Sequence, residues 1–133
     1  MNALGTDARV ISLMTASPVV VSPDAPASEA ERLLKAHRIS GLPVVGERLL
    51  GVISLSDILV ARSSPMIGAN WARLRVRHLM SSPAVTIHTS AHISFAAREM
   101  LERQIHRLIV VDDAGEPVGV LTSMDLLRSI EAA

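Results

Sequence analysis

An internal duplication is the feature that most limits what this chain can fold into. Residues 10–15 align with residues 76–81, and the alignment continues without a gap to a turn that is longer in the second copy. Beyond that turn it resumes, so that residues 51–57 align with residues 119–125. Chance similarity would not keep its register over this length, and we therefore interpret the sequence as two copies of one structural unit.

Each copy alternates between the periodicities of strands and helices. Short runs of mainly β-branched residues at 19–21 and 85–87 predict a first strand in each copy. An amphipathic helix follows, because apolar residues of the second copy recur with helical spacing. Pro26 suits the first turn of the equivalent helix in the first copy. The apolar positions of the second-copy helix are Ile93, Ala96, Ala97, Met100 and Leu101.

Two further strands and a closing helix complete each copy. The strands are predicted at 42–45, 49–53, 108–111 and 118–121. The closing helices are expected to begin near Ser54 and Thr122, where a hydroxyl residue follows the last strand. Each copy therefore has the predicted order β-α-β-β-α.

The size of one copy predicts how the two copies pack. A unit of about 50 residues buries too small a fraction of its surface to be stable alone. We therefore expect an α+β fold in which the two repeats pack sheet to sheet about a local two-fold axis. The repeats are placed at residues 10–62 and 76–130. Residues 63–75, which contain Trp71, form a linker that we expect to be a hinge or a short helix.

The composition excludes several classes of protein. Lysine plus arginine and aspartate plus glutamate both number 13, so the net charge is zero and a general nucleic-acid binder is disfavoured. There is no cysteine, which excludes disulfides and thiolate chemistry and fits a cytoplasmic protein. No apolar run is long enough for a transmembrane helix, and the first nine residues lack the apolar core of a signal peptide.

The two strand-to-helix corners carry the most informative side chains. Ser54 with Asp57, and Thr122 with Asp125, have the spacing of a capping box, in which the hydroxyl and the carboxylate bond to backbone N–H groups at a helix start. The same geometry gathers N–H groups, a hydroxyl and a carboxylate at one place, which suits a sugar diol beside a phosphate. The sequence leaves open whether the corners are helix caps alone or caps that also bind a nucleotide.

Taken together, these motifs resemble a tandem pair of CBS domains, often called a Bateman module. The resemblance covers residues 10–130 and rests on residues 10–15, 39–45 and 51–57 with their second-copy counterparts. It implies a regulatory module that binds an adenosine-containing ligand (AMP, ADP, ATP or S-adenosylmethionine) in a cleft between the repeats. It also implies a homodimer that modulates a partner protein, and no catalytic activity.

The resemblance assigns residues to two clefts. In the stronger one, the backbone near Ser40 would hold adenine, Asp125 the ribose hydroxyls, and Arg107 a phosphate. The weaker cleft is narrowed because His106 and Arg107 replace the Ser-Gly pair of the first copy. The stronger cleft comprises Val19, Val20, Ile39, Ser40, Gly41, Leu42, Pro43, His106, Arg107, Thr122 and Asp125, and the weaker one Thr86, Ile105, Ser54 and Asp57.

Other interpretations of these residues compete with the ligand-sensing hypothesis. The main alternative is a homodimerisation or protein-interaction module that binds no small ligand. His88 and His92 are four residues apart, but they have no acidic or cysteine partner at a fixed spacing, so a metal site is disfavoured. An enzyme is also disfavoured, because the sequence has no nucleophile–base pair and no glycine-rich phosphate loop of the Walker type.

Overall fold

The computed structural model describes residues 8–16 and 19–132, apart from the side chains of residues 131 and 132. This part of the chain has a mixed α+β structure that divides into two compact units. The first-copy unit comprises residues 19–84, and the second-copy unit comprises the described parts of residues 1–18 and 85–133. Residues 10–16, which belong to the first repeat by sequence, thus lie in the unit that holds the second repeat. The repeat boundaries themselves stay a prediction.

The second-copy unit is built on a four-stranded sheet. Its strands are β1 (Thr15–Ala16), β4 (Thr86–His88), β5 (Arg107–Val111) and β6 (Pro117–Thr122), in the order β1-β6-β5-β4. β4 is parallel to β5, whereas β5 with β6 and β6 with β1 are antiparallel. The helices are α1 (Val10–Leu13), α6 (Ile93–Arg103) and α7 (Ser123–Ala132).

The first-copy unit repeats this layout with fewer regular strands. β2 (Gly41–Val45) and β3 (Leu49–Ser54) form an antiparallel pair. On either side, the neighbouring strands are reduced to single bridges, Val21 with Val44 and Ser81 with Val52. The helices are α2 (Ala27–His37), α3 (Leu55–Ser63), α4 (Pro65–Ala69) and α5 (Val76–Leu79).

The predicted first strand at 19–21 is wrong except at Val21, and Pro43 explains why. In the second copy the strand extends because Ile109 donates its N–H to the carbonyl of Val85 at 3.0 Å. The residue equivalent to Ile109 in the first copy is Pro43, which has no N–H to donate. Val21 therefore has two ladder bonds: its N–H donates to Pro43 O, and its carbonyl accepts the N–H of Val45. The ladder does not extend from Val21 towards Val19.

Each unit has its own apolar core on one face of its strands. The core of the second-copy unit includes Ile87, Leu108 and Leu121, and that of the first-copy unit includes Leu42 and Ile53. Alternate residues of the same strands lie on the opposite face, as the two-residue period of a strand requires. The amphipathic helix predicted from the apolar spacing is confirmed as α6. Ile93, Ala96 and Met100 lie in the core and Ala97 packs at its margin, whereas Leu101 is 79% exposed at the edge of the apolar stripe.

The linker forms short helical segments, in agreement with one of its two predicted forms. α4 is followed by a 3-10 turn at Trp71–Arg73. The guanidinium of Arg62 lies 5.1 Å from the centre of the Trp71 ring and also donates to both carboxylate oxygens of Glu31 on α2. These contacts hold the indole against α2 and α3 in the first-copy unit. In the part of the chain that the structure describes, no helix has the length and apolar character needed to span a membrane.

Gly51 gives a test of the bridge between Val52 and Ser81. A Cβ at this position would fall within the van der Waals radius of the Ser81 carbonyl oxygen, which is backbone and cannot rotate away. We expect Gly51→Ala to lower the free energy of unfolding by about 1–3 kcal/mol, as overpacking does, in urea denaturation. The control is Gly46→Ala, whose Cβ would lie 3.4 Å from the nearest side-chain atom, of Leu50. Equal losses in the two variants would contradict the close backbone approach.

Candidate functional site

The corner of the second-copy unit is a capping box between β6 and α7. The N–H of Thr122 donates to Oδ2 of Asp125 at 2.8 Å, and the N–H of Asp125 donates to Oγ1 of Thr122 at 3.2 Å. Asp125 is only 4% exposed, and these bonds offset the cost of burying its charge. The capping box predicted at this position is therefore confirmed.

The second oxygen of Asp125 is also engaged. Arg128, one turn further along α7, donates from Nη1 to Oδ1 of Asp125 at 2.9 Å. The side chain of Arg128 is 67% exposed, so the ion pair joins an exposed guanidinium to a buried carboxylate. The Thr122 hydroxyl accepts the N–H of Asp125, and among the described residues it donates no hydrogen bond.

Arg107 lies directly across the sheet from this corner. It is the register partner of Thr122 in the antiparallel pair of β5 and β6, and such partners have Cβ atoms about 5 Å apart on one face. The carbonyl of His106 accepts the N–H of Ser123 at 2.9 Å, which fixes the residue before β5 to the first residue of α7. The structure therefore brings together His106, Arg107, Thr122 and Asp125 within one unit.

The two remaining candidates in this unit lie further along. Thr86 is the register partner of Ile109 and shares the Arg107 face of the sheet. Ile105 follows α6 and donates its N–H to Met100 O at 3.0 Å, directly after Gln104, which has a left-handed backbone with φ of 56°. Thr86 therefore sits on the sheet face of the corner, and Ile105 on the turn that leads into it.

The first-copy unit contains the equivalent corner with different chemistry. Both the N–H and the hydroxyl of Ser54 donate to Oδ2 of Asp57, at 2.8 and 2.9 Å, and the N–H of Asp57 donates back to Ser54 Oγ at 3.1 Å. The Ser54 hydroxyl proton is thus used inside the cap. Val60 occupies the position equivalent to Arg128, and no ion pair of Asp57 is present among the described residues.

Small and buried groups surround this second corner. Gly41 is the register partner of Ser54, in the place that Arg107 has in the other unit. Leu55 donates its N–H to the carbonyl of Ser40 at 2.9 Å, which repeats the bond between Ser123 and His106. Leu42 is fully buried in the core of this unit.

The other first-copy candidates differ in how accessible they are. Val20 is exposed, and Val19 and Ile39 are half-buried. Pro43 is buried in β2. The prediction that these residues share one ligand with those of the second-copy unit concerns two separate units and stays a prediction.

The two histidines that raised a metal hypothesis are bonded to different protein groups. His88 contacts Asp113 Oδ1 through Nε2 at 2.6 Å and Ser90 Oγ through Nδ1 at 2.8 Å. His92 contacts Arg9 instead. Across residues 8–16 and 19–130, no group of three or more His, Cys, Asp or Glu side chains is arranged to hold a metal ion.

Sequence reasoning missed Arg128 as a part of the site. Its spacing from Asp125 is the i, i+3 spacing at which oppositely charged side chains meet on a helix, so the signal was present.

The capping function of Thr122 can be measured separately from any ligand. Thr122→Ala removes the acceptor of the Asp125 N–H, and we expect a loss of about 1 kcal/mol in the free energy of unfolding. Thr122→Ser keeps the oxygen and serves as the matched control, with a smaller loss in the same denaturation experiment. If the serine variant loses as much as the alanine variant, the hydroxyl does not act as a cap.

Comparison with known proteins places this geometry in a family. The family model of the CBS domain matches the chain twice, at residues 10–64 and 76–132. An inosine-5'-monophosphate dehydrogenase from Korarchaeum cryptofilum is 30% identical over 119 residues, which are 89% of this chain and 23% of that protein. An uncharacterized protein from Methanocaldococcus jannaschii is 34% identical over 111 residues, which are 83% of this chain and 35% of that protein. The chain thus spans well under half the length of these relatives.

Solved structures match over nearly the full length of both chains. The CBS-pair protein CBSX2 from Arabidopsis thaliana has a TM-score of 0.78 at 29% identity, with 96% of each chain covered. A structure of CBSX2 in complex with AMP has a TM-score of 0.76 at the same identity, with 93% of this chain and 96% of that chain covered.

A second solved relative is the CBS domain pair of protein MJ0100, in complex with 5'-methylthioadenosine and S-adenosyl-L-methionine. Its TM-score is 0.81 at 27% identity, and the match covers 94% of this chain and 97% of that chain. With two matches to the family model and the same fold as these pairs, the chain belongs to the CBS domain family as a tandem pair of CBS domains.

Proposed function

We propose that this chain is a regulatory module that senses an adenosine-containing molecule, such as AMP, ADP, ATP or S-adenosylmethionine. The observation that carries the proposal is the pair of capped corners, each with a partly buried hydroxyl–carboxylate pair at the start of a helix. Similar CBS pairs were solved with AMP and with S-adenosyl-L-methionine, which supports the choice of ligand class.

The corners suit different parts of such a molecule. The carboxylate of Asp57 has no ion pair within the described chain, so it can accept hydrogen bonds from a sugar diol. Gly41, the register partner of Ser54, adds no side chain beside this corner. At the other corner, the Thr122 hydroxyl and the Arg107 guanidinium offer hydrogen-bond donors, which suit a phosphate or a carboxylate. A diol at Asp125 would have to share Oδ1 with Arg128.

Regulation requires more than binding. A ligand changes the behaviour of a partner protein only if it binds two states of the module unequally. The short strands and single bridges of the first-copy unit are elements that a ligand could stabilise, because few ladder bonds hold them. We infer that the regulated partner protein distinguishes the first-copy unit with its strands stabilised by ligand from the same unit without ligand.

Calorimetry with AMP, ADP, ATP, S-adenosylmethionine and adenosine tests the proposal. We expect at least one ligand to bind and to raise the melting temperature, because binding to the folded state stabilises it. Asp125→Asn removes a charged acceptor, and we expect its affinity to fall about tenfold or more while the fold persists. Asp57→Asn tests the other corner in the same way.

The control for these variants is Asp113→Asn, which neutralises a carboxylate that is 97% exposed and lies in a turn. It should bind the ligand as the unchanged protein does. Failure of every ligand at millimolar concentration would overturn the adenosine proposal. Equal loss in Asp113→Asn would show that net charge, rather than the corner, determines binding.

An apolar groove favours the alternative of a ligand-independent interaction module. The groove between α6 and α7 has a volume of about 530 Å³. Leu101, on its margin, is 79% exposed, and a large apolar side chain exposed beside such a groove is typical of an interaction surface. The lining residues are Ala97, Met100, Leu101, Gln104, Ile105, His106, Ser123, Leu126, Leu127 and Ile130.

Light scattering tests whether this groove joins two copies of the chain. If it does, the protein is a dimer, and Leu101→Asp shifts it towards monomer because a buried charge without a partner is costly. The control is Val60→Asp, an equally apolar and 68% exposed position in the first-copy unit. A monomer in both the unchanged protein and the variants would rule out the dimer at the concentrations measured.

A further inference from the structure

Both units contain the same clasp between a short helix and the start of a longer one. In the second-copy unit, the N–H of Val10 donates to Ala91 O at 2.9 Å and the N–H of Ile93 donates to Ala8 O at 3.0 Å. In the first-copy unit, Val76 donates to Ala25 O at 2.9 Å and Ala27 donates to Leu74 O at 2.8 Å. The bridged residues between these bonds are Arg9 with His92 in one unit and Arg75 with Pro26 in the other.

The arginines of the two clasps make the same backbone contact. Arg9 donates from Nη1 to Ser90 O at 2.7 Å, and Arg75 donates from Nη1 to Asp24 O at 3.1 Å. The clasps match in this respect. They differ in the residue bridged to the arginine, which is Pro26 in the first-copy unit and His92 in the second-copy unit, and His92 has a side chain that contacts the guanidinium.

The contact between Arg9 and His92 depends on the protonation state of the imidazole. Nη1 of Arg9 lies 2.9 Å from Nε2 of His92. A guanidinium has only donors, so this hydrogen bond forms when the ring is neutral with its proton on Nδ1 and Nε2 accepts. Nδ1 is buried and has no hydrogen-bond partner among the described residues. A second proton would bind Nε2, where the N–H groups and the positive charge of Arg9 would repel it.

We propose that the Arg9–His92 contact is a proton-sensitive clasp, which loosens the segment of α1 and β1 from the start of α6 when His92 is protonated. The inference goes beyond the proposed function and does not depend on it. Its structural consequence lies at the sheet edge, because β1 pairs with β6 through Thr15 and Val120. Loosening that segment uncovers an edge of β6 close to the corner at Thr122.

Other titratable groups are connected to the same cluster and must be separated from His92. His88 bonds to the hydroxyl and the N–H of Ser90, and Asp113 bonds to the other nitrogen of His88. In the first-copy clasp, Nδ1 of His78 accepts the N–H of Arg75 at 2.9 Å. That imidazole contacts a neutral backbone group, so this contact would not place a protonated ring against the positive charge of a guanidinium.

Amide hydrogen exchange followed by NMR tests the clasp in the intact chain. The readout is the protection factor of the Val10 N–H at pH 7.5 and pH 5.5, conditions chosen to span the usual titration of histidine, about pH 6.5. We expect the protection of Val10 to fall about threefold or more at the lower pH, the size expected for one exposed polar contact. In His92→Gln the fall should disappear, because the glutamine carbonyl accepts from Arg9 at both pH values.

Three further variants decide the origin of the effect. His78→Gln and His88→Gln should both keep the fall at Val10, and Arg9→Gln should abolish it because the positive charge that opposes protonation is gone. The proposal is overturned if Val10 protection does not change with pH, if His92→Gln keeps the fall, or if His88→Gln alone removes it. If His92→Gln does not fold, Arg9→Gln decides in its place, and a fall that persists in Arg9→Gln overturns the proposal.

Discussion

Both compact units depend on a strand edge that is paired by a segment from elsewhere in the chain. β1 adds to β6 in the second-copy unit, and Ser81 pairs with Val52 in the first-copy unit. Glycine at 51 and at 119 permits these approaches, because a side chain at either position would collide with the paired backbone. Neither unit is therefore made from one sequence repeat alone, and an excised repeat would leave a strand edge unpaired.

The duplicated scaffold carries two corners with equal geometry and unequal chemistry. Both use a hydroxyl and a carboxylate to cap a helix, and both fix the residue before the second strand by a backbone bond to that helix. What differs is the partner across the sheet and the group one turn along the helix: Gly41 and Val60 in one unit, Arg107 and Arg128 in the other. A single copy of the motif could not divide its roles in this way.

The sequence predicted the main helices and strands of each copy, but it did not predict α1, β1 and α5, the exact extent of the strands, or which unit residues 10–16 join. The hydrophobic periodicity and the capping motifs correctly predicted the helices after Ser54 and Thr122, because both signals are local. The prediction of the first strand in the first copy was wrong because Pro43 has no N–H to continue the ladder. Pro43 lies far along the chain from that strand. The pairing of Thr15–Ala16 with β6 of the other repeat is long-range, and no local pattern encodes it. At the site, the capping bonds were foreseeable from the motif alone, whereas the Arg128 contact follows only when the helical spacing of charged residues is considered together with the cap.

The packing of Trp71 determines how the unfolding of this protein can be observed. The chain has one tryptophan and no tyrosine, and the indole is held by Arg62 in the first-copy unit. Intrinsic fluorescence therefore reports on that unit alone, whereas far-ultraviolet circular dichroism averages over both. Coincident transitions by the two probes would mean that the units melt as one cooperative body, and separate midpoints would mean that each has a stability of its own.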